Sequence, residues 1–342
     1  MLKLLSCALS SSTRLWKHLL AVFLFIVITM SSNIVQAQSS SFFVPADSFN
    51  NKRFWAATGV TAVAYTATVI GLNEIWYKQY PRSGFHFQND WKEWRNVDKM
   101  GHMFTSYMYT SYISDIARWT GIESNKADWI GLGTAMLFQT TIEIMDGYSD
   151  RWGFSWSDMA FNAVGAGLYV GQQRLWHEQR ILLKFSSTPV SHPDYLVTSE
   201  DGESMMTVIQ RAEDLFGTSY FERLLKDYNA QTIWTSVNIH SFLREESRFP
   251  KWLNFAFGYG AYNLYGGYQN KWEKDGARYS LDEETFPRYS QYYLSLDVDL
   301  SKIPVKSPFL RTILGMLNVI KIPAPALEYN KVEGLRFHAI KF

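Results

Sequence analysis

The sequence predicts an α+β protein, an N-terminal bundle of about four helices followed by an antiparallel β-rich region that forms a small sheet or a partial barrel. Three observations carry this prediction. Apolar, almost uncharged stretches of helical length recur between residues 54 and 175. Beyond Arg180 the apolar period falls towards two. The chain is long, 342 residues, and 47% hydrophobic with 16% aromatic, which provides ample material for a core and argues against disorder.

Residues 1–37 read as a signal peptide. Lys3, Arg14 and Lys17 make a basic region, Leu19 to Met30 an apolar run, and Val35-Gln36-Ala37 a small-residue cleavage site. An uncleaved anchor is the alternative, although the apolar run is short for a span. Cys7 is the one cysteine and precedes that run, so the exported chain is expected to have no disulfide, no cysteine metal site and no lipid-bearing cysteine. Residues 38–178 are expected to form the helical domain and 179–342 the β-rich region.

Phe54 to Asn73 is uncharged over about the 20 residues that a membrane helix needs. Three more helices are expected. One is opened by Asp98 and ends near Trp119, one runs from Asp128 to Asp146, and one is opened by Ser155 and reaches Leu175. Their uncharged stretches are shorter, as in buried bundle helices, and Gly165, Gly167 and Gly171 would let a neighbour approach closely. Ile181–Ser186, Gln231–Leu243, Trp252–Tyr262, Tyr292–Leu300 and Leu335–Phe342 read as strands. Amphipathic helices are expected over Thr207–Asp227 and Pro308–Ile320. Ile322-Pro323-Ala324-Pro325 argues against a central strand there. Tyrosine-rich strands behind a signal peptide suggest an outer-membrane β-protein. Five strands fall short of the eight or more of a single-chain barrel, and the last alternates poorly, with Ile340 and Phe342 in phase with Arg336 and His338.

Lys and Arg number 33 against 32 Asp and Glu, a formal charge of +1, so there is no electrostatic footprint for nucleic acid. The chemistry gathers in the helical half. Asp98 reads as a helix N-cap with His102 one turn on, and Lys99 lies between them. Glu143 and Asp146 share a face at the C-terminal end of their helix, where the dipole disfavours acids and a cation such as Lys99, His102 or Arg151 should compensate. Ser155-Trp156-Ser157-Asp158 fits a capping box with Asp in place of Glu, and Asn162 follows one turn after Asp158.

Asp98-Lys99-x-x-His102, Glu143-x-x-Asp146 and Gly153-Phe154-Ser155-Trp156-Ser157-Asp158 with Asn162 and Gly165 together resemble the YfiM-like family of predicted periplasmic lipoproteins, a domain of unknown function. The resemblance covers about Trp91 to Gln173. It departs from the family in lacking the lipoprotein cysteine and in adding the β-rich half, which looks like the C-terminal extension of longer relatives from the Bacteroidetes. A weaker similarity runs to the VanZ-like integral membrane family. The resemblance implies a Gram-negative cell-envelope protein, at the outer membrane or in the periplasm, and supplies no established reaction.

Three roles fit the polar centre. In the first, Asp98, Lys99, His102, Glu143, Asp146, Asp158 and Asn162 form a buried network that fixes the bundle, in a protein with a structural or interaction role. In the second, a membrane-associated enzyme acts on an envelope lipid or cell-wall precursor through His102, oriented by Glu143 or Asp146. No Ser nucleophile motif accompanies it. In the third, His102, Glu143, Asp146 and Asp158 hold a metal ion. The non-catalytic role is the expectation, with no cofactor, and with membrane lipid or other envelope proteins as partners.

Overall fold

The computed structural model describes residues 42–342 except residue 245, so the expected signal peptide lies outside the described residues. Helix α1 (Asn51–Leu72) starts on Asn50, whose side chain accepts the Arg53 N–H at 3.0 Å. It continues through a π-helical turn, Asn73–Tyr77. Among the described residues this is the one helix long and apolar enough to cross a membrane, and none of its residues is buried.

Helices α2 (Val97–Trp119), α3 (Ser124–Gly147) and α4 (Trp156–Trp176) pack closely around α2. Small residues permit this: a Cβ on Gly165 of α4 would overlap the Met103 carbonyl of α2, and one on Gly131 of α3 would overlap Ser114. Gly165→Ala is therefore expected to lower stability by about 1–3 kcal/mol. Gly167→Ala, with nothing within 4 Å of the new Cβ, should raise it by up to about 1 kcal/mol. Chemical denaturation of the two variants checks the contrast, and equal effects would contradict the packing.

The second half contains ten strands: β1 (Ile181–Ser187), β2 (Leu196–Thr198), β3 (Met205–Thr207), β4 (Gln231–Asn238), β5 (Leu253–Tyr262), β6 (Lys271–Lys274), β7 (Ala277–Ser280), β8 (Tyr289–Val298), β9 (Ala324–Asn330) and β10 (Gly334–Lys341). Six form one antiparallel sheet in the order β1-β4-β5-β8-β9-β10, and β2-β3 and β6-β7 are separate ribbons. The large sheet does not close. It curls far enough for Lys184 on β1 to meet Asp297 on β8 at 2.9 Å, across the two intervening strands.

The face it curls around is buried and mixes polar groups with the cluster of Trp234, Ala256 and Tyr293. Ser236 donates to Asp297 at 2.6 Å and Asn254 to Ser236 at 2.9 Å. The opposite face is apolar. At β1 and β4 it packs on α2, where Phe185 stacks on Phe104 and Leu183 and Ile233 join Tyr107 in one cluster. At β5 it is partly covered, where Tyr259 packs beside Trp94 and Val97, and across β8, β9 and β10 it is largely bare.

Two local expectations are corrected and one is explained. The helix expected over Thr207–Asp227 is two, α5 (Val208–Phe216) and α6 (Tyr220–Lys226), because Gly217 turns at φ 80° and each helix has its own capping box. Helix α7 (Pro308–Leu317) precedes β9, which is a central strand despite Pro325. That proline falls between the Ala326–His338 and Ala324–Lys341 pairs, where the ladder to β10 is already interrupted by a register shift. The same shift, between His338 and Lys341, explains why the last strand alternates poorly.

Candidate functional site

The cluster is assembled by three helix ends and one loop. A short turn, Glu93–Asn96, leads into α2 with Trp94, Arg95 and Asn96 at φ 47°, 52° and 61°. Asn96 occupies the cap position, so Asp98 lies in the first turn instead of capping it. Its carboxylate accepts from Tyr228 at 2.7 Å, a bond to the β half that replaces the expected one to its own helix.

At the start of α4 the cap is as expected, with Ser155 Oγ accepting the Asp158 N–H at 3.1 Å. The reciprocal bond of a capping box goes elsewhere. The Ser155 N–H donates to Glu143 Oε2 at 3.0 Å, so the last turn of α3 is tied to the first of α4. Asp158 is left free to face Lys99 of α2. Lys99, with no exposure, lies 2.6 Å from Asp90, 2.8 Å from Asp158 and 3.8 Å from Asp98. Asp90 also accepts from Ser155 and Ser157, each at 2.6 Å.

His102 sits one turn beyond. Its Nδ1 is 3.2 Å from Asn162 Oδ1 and 3.7 Å from Glu143 Oε1, and its Nε2 is 4.0 Å from Asp158 Oδ2. Gln139 donates to the His102 carbonyl at 3.3 Å and to Thr105 at 2.7 Å. Asp146 accepts from Tyr77 at 2.7 Å. Six of the seven residues singled out in the sequence thus lie in one connected cluster, and Asp146, bonded to Tyr77, lines the same cavity as Asp98, His102 and Asp158. Asp90, Ser157, Tyr77 and Tyr228 complete the group. Asp90 sits in an aperiodic loop and Tyr228 in the other half of the chain, where no helical spacing signals them.

The cluster borders an open cavity of about 490 Å³. Asp90, Glu93, Asp98, Asp146 and Asp158 line it, and His102 is the one cationic side chain among its lining residues. Trp76, Phe104, Met108, Tyr109 and Phe138 supply apolar walls. Burial pushes the Asp158 carboxyl up to about 8, helped by Asp98 and opposed by His102 and Lys99. Burial likewise raises Glu143 and Glu93 to about 7 each and Asp146 well above the usual range. Burial would also raise Asp90, but hydrogen bonding with Asp158, Lys99, Ser155 and Ser157 holds it well below the usual range. Burial works against His102, yet Asp158, Asp98, Glu143 and Asp146 outweigh it and lift the imidazole to about 9. The arrangement therefore holds His102 protonated at neutral pH.

A proton held that firmly suits an electrostatic role better than general-base chemistry, which needs a free ring nitrogen near the working pH. One ligand atom each from Asp98, His102 and Asp158 lie within 4.8 Å of one another, the spacing of a cation site. Glu143 and Asp146, the other metal candidates from the sequence, are not in that group. Glu143 Oε1 and Asn162 Nδ2 are buried without a hydrogen-bond partner among the described residues.

Residues 86–171 match the family described as predicted periplasmic lipoprotein (DUF2279), a span that contains every one of the seven residues. No curated protein and no solved structure matches the chain. The chain is an exported protein of the cell envelope.

Proposed function

We propose that this chain is a non-catalytic binding protein whose helical half takes an amphiphile with a positively charged amine, such as an aminated membrane lipid. The observation that carries this is the lining of the cavity: five carboxyl groups, two of them held at short range by Lys99, with His102 as the one cationic side chain among the lining residues, beneath aromatic and aliphatic walls. Lys99 cannot neutralise an incoming ligand, because Asp90 and Asp158 already hold it. The amine would sit beside Asp98 and Asp158 and the tail along Phe104, Tyr109 and Phe138. Kinship with the YfiM-like pattern and a place at the outer membrane belong to this reading.

Calorimetric titration of the full chain with short-chain phosphatidylethanolamine and phosphatidylglycerol tests it. The amine headgroup should bind more tightly, and Asp98→Asn should weaken it about tenfold, the loss of about 1.4 kcal/mol. Equal affinity for the two headgroups, or an unchanged affinity in Asp98→Asn, would overturn the reading. The grouping of Asp98, His102 and Asp158 favours a second reading, a divalent cation at the same place that displaces the proton from His102. On that reading a chelator lowers the melting temperature and one ion restores it.

A further inference from the structure

The large sheet is built inside out. Along β5, β8 and β9 the enclosed positions carry Asn254, Ser295, Asp297, Glu328 and Asn330 beside Ala256, Tyr293 and Ala326, all buried. The outward positions, at every second residue over 253–259, 292–298, 325–329 and 335–337, are Leu, Phe, Tyr, Val or Pro without a single charge. Most are open: Phe257 is 56% exposed, Leu335 68% and Phe337 68%, whereas Tyr259 is half-buried against the Trp94 and Val97 cluster and donates its hydroxyl to the Arg95 carbonyl. In a water-soluble sheet the two faces would be exchanged.

This bare area continues the apolar face that α2 already covers at β1 and β4, so it is the uncovered part of an existing interface. Its rows are also stratified. Tyr259, Tyr292 and Tyr329 pair across three strands in one row. The next row is Phe257, Leu294, Leu327 and Phe337. A tyrosine level beside an aliphatic and phenyl level is the profile of a surface that passes from lipid headgroups into hydrocarbon. The complete lack of charge matches hydrocarbon too, whereas a protein partner would ordinarily be met by a polar rim. From 253 to 259 the band spans about 20 Å at ~3.4 Å per residue, close to the ~25 Å apolar band of membrane strands.

We infer that this half of the sheet face is embedded in bilayer lipid, so that the β region itself, and not α1 alone, holds the protein in the membrane. The inference is independent of the cavity and its ligand. Single cysteines in place of Phe257, Leu294 and Phe337, each in a Cys7→Ser background, can carry a nitroxide label in the full chain reconstituted into phosphatidylethanolamine–phosphatidylglycerol vesicles. Because α1 could by itself carry the chain to vesicles, the readout is local: collision of each label with dissolved oxygen against a water-soluble nickel chelate. The oxygen-to-nickel ratio should exceed that of a label at the exposed Glu203 several-fold at all three positions. Nickel collision equal to that at Glu203 would place the face in water and overturn the inference. Suppression of both collisions would place a protein surface there and overturn it as well. Circular dichroism identifies any variant that fails to fold, and the other two positions then decide.

Discussion

Lys99→Met should unfold the helical half more readily than any other single substitution in the cluster, with a loss of about 3–5 kcal/mol. The ammonium has no exposure and two carboxylates within 2.8 Å. Their attraction, with Asp98, more than offsets the cost of burying it and raises its pKa. Methionine keeps the length of the chain but leaves the ionised Asp90, with the Asp158 carboxyl bonded to it, without a cation in a dry setting. Urea denaturation of the full chain measures the loss, and a change under about 1 kcal/mol would show that the pair contributes little. A double variant, Lys99→Met with Asp90→Asn, should regain part of the stability, because it removes the buried charge that the single variant strands.

Stability should fall steadily as the pH rises from about 5 to 9, contrary to the common acid lability of proteins. His102 is raised from 6.5 to about 9, so its contribution is complete below 6.5 and disappears as the pH passes through 9. Glu143 and Asp158 are raised to about 7 and about 8, so the folded state favours their protonated forms. Their contributions are complete below pH 4 and are lost as the pH rises through those values. Through these three groups the folded chain binds more protons than the unfolded one, and each extra proton adds a slope of about 1.4 kcal/mol per pH unit, opposed above pH 8 by Lys321, which burial lowers to about 8. Denaturation midpoints at pH 5, 7 and 9 test this. His102→Gln should flatten the upper part of the curve, and a wild-type midpoint that rises with pH would contradict the assignment of all three groups.

Much of this was legible in the sequence because helix periodicity and capping are local. The expected starts at Asp98 and Ser155 fall within a residue of α2 and α4, and the shared face of Glu143 with Asp146 follows from a spacing of three. What could not be read was the exchange of partners between elements. Glu143 takes the N–H that Asp158 would have taken in a capping box, and Asp98 turns to Tyr228, 130 residues away. Such bonds depend on which helix ends meet, and no spacing within one helix encodes that. The same limit applies to the sheet. Alternation in Tyr292–Leu300 marked a half-buried strand, but only the curl that brings Lys184 to Asp297 shows that the polar side is the buried one.

The left-handed corner before α2 has a consequence for how this protein can be altered or recombined. Lys92, Trp94, Arg95 and Asn96 all have positive φ, each at a cost of order 1–3 kcal/mol. Besides the local bond from the Lys92 N–H to Asn96, what keeps them there belongs to the other half of the chain: the Trp94 N–H donates to the Gly267 carbonyl at 2.8 Å, and the Trp94 ring packs with Ala261 and Leu264. The corner is thus a spring held by a latch on a different part of the chain. A chimera carrying residues 38–178 on a foreign partner would inherit the spring without the latch. The first turn of α2 would relax, and Asp98, Lys99 and His102 would move with it. The acidic cavity is accordingly not a portable module, and it can be inherited only together with the sheet that keeps it cocked.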